Sequence, residues 1–388
     1  REIGLTNPHI RSLIAYNAES KVVESMRPNG VLMAQIRPKG GMISGTSSIV
    51  QLDAWNWEDA AIKTDDGIHM NWPGNFSSGK WWLGEDPGKK VDVKYPANID
   101  QIKTYFMNAK NYLAGKSAKK HLPYEATKGL FNGSKKLYIH IDGQKEITDA
   151  ITICLELGIN NLVIVDAEGA DKVADLLIKH NIPVILPRPH RNPNNEDDAY
   201  DSTYTIAKTL TEKGIVVSLG MDGQMERMNT RNLPFYAGTF AAFGLDKEVA
   251  LQLITLNTAK VLGIDSFTGS LEVGKDATLF IANGDIIKVL EINRIIDLYD
   301  FRFAEVTVQM IDYPKMKPFD TVLMLDTINL ETPSLNYEKA NHLYNEVMKD
   351  YISEKVKYKR FLKVKNNKYF NALQVKFSYA ITCHKSQG

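Results

Sequence analysis

Leu137-Tyr-Ile-His-Ile141, Leu162-Val-Ile-Val165, Ile182-Pro-Val-Ile-Leu186 and Ile215-Val-Val-Ser-Leu219 are four short apolar runs, and what lies between them decides the fold class. Ile147, Ile151, Cys154 and Leu155 fall on one face of a helix, and Gly158 follows as a C-cap. Ala170, Val173, Ala174 and Leu177 make the next helical stripe. Ser202 can cap a helix running to about 213, with Gly214 after it. Repeating strand–helix units predict parallel strands joined by crossover helices. Runs that are apolar throughout fit strands covered on both faces. A helix over 246–261 closes this part.

Upstream, residues 1–130 are rich in Gly, aromatics and turn formers. The segment Gly30-Val-Leu-Met-Ala-Gln-Ile36 reads as a buried strand, followed by a Gly40–Gly45 loop. That loop offers backbone N–H groups to an anion, but a turn needing positive φ explains it equally simply. Residues 67–96 read as a long irregular excursion, and 98–116 as a helix. Downstream, residues 286–312 alternate apolar and polar positions, the texture of antiparallel strands. Residues 336–366 read as helical and Lys-rich, and 371–382 as a run ending in a strand.

The 388 residues suit two or three domains, or one barrel with additions. At 44% hydrophobic and 24% charged the composition is that of a globular protein, with no apolar run of the roughly 20 residues a membrane helix needs. Cys154 and Cys383 cannot build a disulfide framework or a Cys-based zinc site. The net charge of +1 conceals 16 Lys+Arg against 12 Asp+Glu after residue 285, a weak hint of a polyanionic partner. With Arg1 at one end and Gly388 directly after a motif at the other, both ends read as cut, and a signal peptide upstream is compatible with the start.

In a barrel of parallel strands, chemistry sits at the strands' C-terminal ends. His140 ends the run 137–141, and Asp222 follows the run 215–219 within Gly220-Met-Asp-Gly223. An imidazole and a carboxylate from different strands can share one hydrolytic metal, and the carboxylate can serve as general base. The plainer alternatives are a hydrogen-bonded structural His and an Asp-Gly turn. His190, His9 and the pair Asp166/Glu168 are weaker candidates, since acids gather at helix N-termini without any function. Gly74-Asn-Phe-Ser-Ser-Gly79-Lys80 fits the spacing of a phosphate loop, but Trp81 stands where a hydroxyl would hold magnesium and no apolar strand is evident before it.

Asn7-Pro-His9, Asn29-Gly-Val31, Pro38-Lys-Gly-Gly41, Ile43-Ser-Gly45, Thr255-Leu-Asn257-Thr-Ala259-Lys260-Val-Leu-Gly263 and Gly269-Ser-Leu-Glu-Val-Gly274-Lys275-Asp276-Ala277 together resemble the amidohydrolase superfamily, nearest its imidazolonepropionase-like branch. The resemblance spans about residues 1–285. It implies a TIM-like (β/α) barrel, N-terminally incomplete, over 1–267, and the return strand of a small β-sandwich over 268–285. It implies hydrolysis of a C–N bond in a cyclic amide or amide small molecule by water activated on a divalent metal, zinc first. Of the family's ligand and catalytic positions, His140 on the fifth strand and Asp222 on the eighth match. The first-strand His-x-His pair is absent and would lie upstream of residue 1. Val165-Asp166-Ala-Glu-Gly169 replaces the sixth-strand His. A barrel kept for binding and catalytically silent is therefore an alternative.

Residues 286–388 resemble instead a C-terminal fragment of a superfamily-1 DNA helicase of the RecD/Dda-like kind, an α+β piece with a β-rich insertion. Tyr379-Ala-Ile-Thr382-Cys-His384-Lys385-Ser386-Gln387-Gly388 carries that resemblance, and it implies single-stranded DNA contacts by Thr382, His384, Lys385 and Gln387. Without a Walker A loop this piece is no motor by itself, and Lys-rich 349–368 also fits a solvated helix face. Asn283-Gly284-Asp285-Ile-Ile287 suits both parents, so the two resemblances predict a chimera joined there. They also point to different compartments, the barrel's relatives often being exported to the periplasm and helicases cytoplasmic.

Overall fold

The computed structural model describes residues 4–79, 83–86, 88–115, 119–194, 197–221, 229–276, 287–310, 316–328, 335–354 and 356–375. Two compact units divide the chain, Arg1–Phe280 and Ile281–Gly388.

The first unit is built on a seven-stranded sheet. Its strands are β1 (Met33–Ile36), β2 (Ile43–Gln51), β3 (Ala61–Asn71), β6 (Lys136–Ile141), β7 (Leu162–Asp166), β8 (Val184–Leu186) and β9 (Val217–Leu219), neighbours in that order. A hairpin of β4 (Phe76–Ser78) and β5 (Lys89–Val91) stands apart. From β3 to β9 every pairing is parallel, whereas β1, β2 and β3 pair antiparallel. Among the described residues the sheet is thus a curled half-barrel with β1 and β9 as its edges.

Four runs read as strands are strands, and the helices between them are Gln144–Glu156, Ala174–Lys179 and Ser202–Glu212. Gly158 and Gly214 hold φ of +83° and +84°, the left-handed ends predicted for these connections. Three expectations need correction. The stretch 67–96 is no irregular excursion at its start, because Gly67–Asn71 completes strand β3. Helix 246–261 is two helices, Lys247–Gln252 and Leu256–Leu262, the first capped by Asp246. Ser202 does not cap its helix; Asp201 holds that position, without a side-chain hydrogen bond. An additional helix, Leu233–Ala242, begins with Pro near its N-terminus.

The strands' period of two assigns their faces. Leu137 and Ile139 of β6, Ile68 and Met70 of β3, and Leu162 and Ile164 of β7 pack outward against Ile102, Phe106, Ile147, Ile151 and Leu210 of the helices. Each such fully buried aliphatic side chain contributes on the order of 1.5–3 kcal/mol. The opposite face carries Tyr138, Val163 and Val165, which meet Ile49, Val261 and Leu262. This inner face also bears His140. At the sheet's other end, Lys63 of β3 donates to the carbonyls of Leu262 and Gly263, and Lys136 of β6 to that of Val261. Two ammonium groups thereby satisfy the carbonyl end of the helix Leu256–Leu262.

The second unit is a four-stranded sheet of β10 (Ile287–Leu298), β11 (Phe301–Met310), β12 (Phe319–Met324) and β13 (Leu373–Gln374). The first three pair antiparallel, as the alternation over 286–312 predicts, and β13 joins parallel to β12. The region read as helical holds two helices, Tyr337–Lys349 and Lys357–Lys365. Phe301, Phe303, Met324, Leu343, Val347 and Val364 form their shared core with the sheet. Most of Lys357–Lys365 is exposed, in keeping with a solvated face. Among the described residues no helix is long and apolar enough to cross a membrane.

Candidate functional site

His140 stands at the C-terminal end of β6 on the inner face, 8% exposed. The neighbouring parallel strand β3 brings His69 beside it, 3% exposed. Nδ1 of His69 lies 3.0 Å from Nε2 of His140, and Nδ1 of His140 lies 3.3 Å from Oδ2 of Asp166 on β7. Three adjacent strands thus contribute one side chain each to a continuous polar line.

Each ring is held from behind. His69 stacks on Tyr138, centroids 4.6 Å apart and planes 6° from parallel. The Tyr138 hydroxyl donates to Oδ2 of Asp66 at 3.1 Å. Asp66, buried, also accepts from Ser47 Oγ at 2.8 Å and Gln35 Nε2 at 2.7 Å. Burial raises the Asp66 carboxyl above its ordinary pKa against the pull of these three donors. Burial, then the neighbouring His140 and Arg37, holds His69 well below the ordinary histidine range, so its ring is neutral.

Asp166 and Ala167 both adopt positive φ, +74° and +52°. Neither is glycine, and consecutive left-handed residues at a strand end are a costly turn of the kind that functional sites retain. Around that turn the mouth is acidic. Glu168 pairs with Arg191 at 2.8 Å and accepts from the Asn194 backbone at 2.7 Å. Asp142, two residues beyond His140, keeps an exposed edge. Its carboxyl is nevertheless crowded enough by protein, and near enough to Asp166, to be pushed up to about 6 against the pull of Arg191.

These groups can hold a cation. His140 turns one nitrogen to a carboxylate and the other to the imidazole of His69, the arrangement of a metal-bound histidine with its supporting acid. Among the described residues no third ligand joins them. The one convergent trio there, Asp300, His342 and Glu346, lies in the second unit. It is already engaged, His342 with Asp300 at 3.0 Å and Glu346 with Lys349 at 2.6 Å.

Asp222 lies outside the described residues, as do Thr382, His384, Lys385 and Gln387. His190 is exposed in the loop after β8, beside Thr239 and the rings of Tyr204 and Tyr236, and joins no ligand group. His9 sits in a segment bridged to β2 through Thr6 and Arg11. In the phosphate-loop look-alike, Phe76–Ser78 is an exposed strand paired with β5, not a cradle, although a strand, β3, does precede it. The Gly40–Gly45 segment is the turn into β2, with φ of +93° and +70° at Gly40 and Gly41.

Sequence reasoning missed His69, Tyr138 and Asp66. The usable signal was the alternation of Ile68, Met70 and Trp72 around His69, which puts these three in the outer core and the histidine on the inner face.

In comparisons with known proteins, residues 83–311 match the amidohydrolase family. That match continues through the region where the second resemblance begins, and these comparisons lend the helicase reading no support. An imidazolonepropionase from Syntrophobacter fumaroxidans (strain DSM 10017 / MPOB) is 34% identical over 82 residues, 21% of this chain and 19% of that protein. The chain therefore matches only about a fifth of that relative's length. The crystal structure of an amidohydrolase from Thermotoga maritima MSB8 superposes with a TM-score of 0.58 at 20% identity, covering 79% of this chain and 77% of the other. That likeness shows a shared fold. With more than half of its residues in one continuous match, the chain belongs to the amidohydrolase family.

Proposed function

We propose that the chain is a metal-dependent hydrolase of C–N bonds in a cyclic amide or amide small molecule, with His140 as metal ligand and Asp222 as ligand or base. The observation that carries this reading is His140 at a strand's C-terminal end, backed by Asp166, in a chain of the amidohydrolase family. The partial match to an imidazolonepropionase favours a ring amide as the substrate class. A bound divalent ion, zinc first, supplies a water acidic enough to lose its proton near neutral pH. The chain's own part is orientation. Asp166 fixes which nitrogen of His140 faces the site, and Tyr138 and Asp66 fix the plane of the His69 ring beside it. Arg191 pins Glu168 and keeps the loop after β7 against the mouth.

The test is hydrolysis of a panel of cyclic amides and N-acyl amino acids by the purified full chain, with and without added zinc, following acid or amine release. Zinc-dependent turnover lost at least ~100-fold in both His140→Gln and Asp222→Asn is expected. Turnover indifferent to either variant would remove the reading. Zinc bound at His140 with no turnover on any substrate would leave a barrel that binds without catalysis.

A further inference from the structure

We propose that His69 is a second imidazole ligand of the cation held by His140, contributing Nδ1. The inference rests on the metal-dependent reading above and adds to it a residue from a different strand.

His140 can meet a cation through only one of its two nitrogens. Its Nδ1 faces Asp166, so a cation must take Nε2. Nε2 is not open: Nδ1 of His69 lies 3.0 Å away in hydrogen-bonding geometry. A metal sits about 2.0–2.1 Å from an imidazole nitrogen, along the same lone-pair direction. An ion placed there lies within bonding reach of His69 whether or not His69 takes part. His69 is then either a ligand or an obstruction.

Two features of the ring favour the ligand. It cannot easily swing away, being sealed on one face by Tyr138 and on adjacent strands in fixed register with it. Its Nε2 is buried with no hydrogen-bond partner, so nothing else in the described structure claims the imidazole. Two nitrogens on one tetrahedral ion stand about 3.3 Å apart with both lone pairs aimed at the ion, so the pair must spread by a few tenths of an ångström and the two rings must turn off their mutual hydrogen bond.

The experiment is zinc binding to the metal-free full chain by equilibrium dialysis, with the absorption spectrum of the cobalt(II) form as a second readout. Wild type, His69→Gln and His140→Gln are compared, and circular dichroism of each metal-free protein checks that it is folded. The expected result is a loss of affinity of at least ~10-fold in both variants, with the cobalt band altered in His69→Gln. If His140→Gln loses zinc while His69→Gln binds as wild type with an unchanged cobalt spectrum, His69 is no ligand and the hydrolase reading stands. If His69→Gln binds zinc more tightly than wild type, the ring is a plug and the inference is overturned. If folded wild type takes up no zinc or cobalt at all, both the inference and the metal-dependent reading fail.

Discussion

The ring of His69 lies flat on the ring of Tyr138, 4.6 Å between centroids and 6° from parallel, while the Tyr138 hydroxyl reaches past it to Asp66. One side chain thus does two separable things, offering a face to the histidine and a proton to the carboxyl. Tyr138→Phe keeps the face and deletes the donor. It should cost about 1–3 kcal/mol, the penalty of depriving a buried acceptor. Tyr138→Leu also removes the stack and should cost a further ~0.5–1.5 kcal/mol. Urea unfolding followed by the far-ultraviolet signal ranks them, and equal midpoints for the two variants would show that the stack contributes nothing.

Asp66 carries the pH dependence that this buried network predicts. Its folded pKa is raised, so the folded state prefers the protonated carboxyl more than the unfolded chain does. Its contribution to stability is therefore fullest below the unfolded carboxylate value of about 3.9 and is lost as pH rises through the folded value. Asp66→Asn abolishes that dependence. Melting temperatures of the two proteins should therefore diverge in the variant's favour as pH climbs from about 4. A gap that narrows with rising pH contradicts the raised value.

Gly45, inside β2, holds φ of +147°, and a Cβ there would stand 2.5 Å from the carbonyl oxygen of Ile10 and 2.7 Å from Pro38 Cγ. That backbone region is nearly closed to other residues, and the contact is with main chain that cannot yield cheaply. Gly45→Ala should destabilise the first unit by about 2 kcal/mol or more. Gly133 makes a control, since a Cβ there meets nothing within 4 Å although its φ is +77°. Gly133→Ala should melt clearly above Gly45→Ala in a thermal scan.

Cys154 is fully buried in the helix Gln144–Glu156, and burial pushes its thiol up to about 12. A thiol held protonated and out of water does not react. In a Cys383→Ser background, Ellman's reagent should leave the native protein unmodified for as long as it stays folded and label it at once in denaturant. Rapid labelling of the native chain would mean that this helix opens readily or is packed differently.

The four strands β6 to β9 were legible because they are apolar throughout, as strands covered on both faces must be. β3 is their neighbour in the same sheet and was read as loop from Gly67 onward. Its inner positions bear Asp66 and His69, and consecutive Asp65, Asp66 and Gly67 look like a turn when the partner donors Gln35, Ser47 and Tyr138 are unknown. The polar residues that hid the strand are the ones that furnish the site. The helix Leu233–Ala242 escaped for the opposite reason: it is apolar nearly all round and contains Pro and Gly, so no stripe marks it. Of the site, His140 was accessible from its place at a strand end. His69 carried only the alternation of Ile68, Met70 and Trp72 around it, and its partner lies on a strand 71 positions away.

The grip of Lys63 and Lys136 on the end of the helix Leu256–Leu262 sets an order on the birth of this chain. Lys63 is separated from its acceptor at Leu262 by 199 positions and Lys136 from Val261 by 125. At ribosomal speeds of about 5–20 residues per second, the first amine waits roughly 10–40 s for its carbonyl to be synthesised. During that interval β3 exists without its latch. The half-barrel therefore fastens late, when the last helix of the first unit leaves the ribosome. A nascent chain that has passed Lys136 but not yet reached Leu262 carries two unanchored lysines at the foot of its sheet.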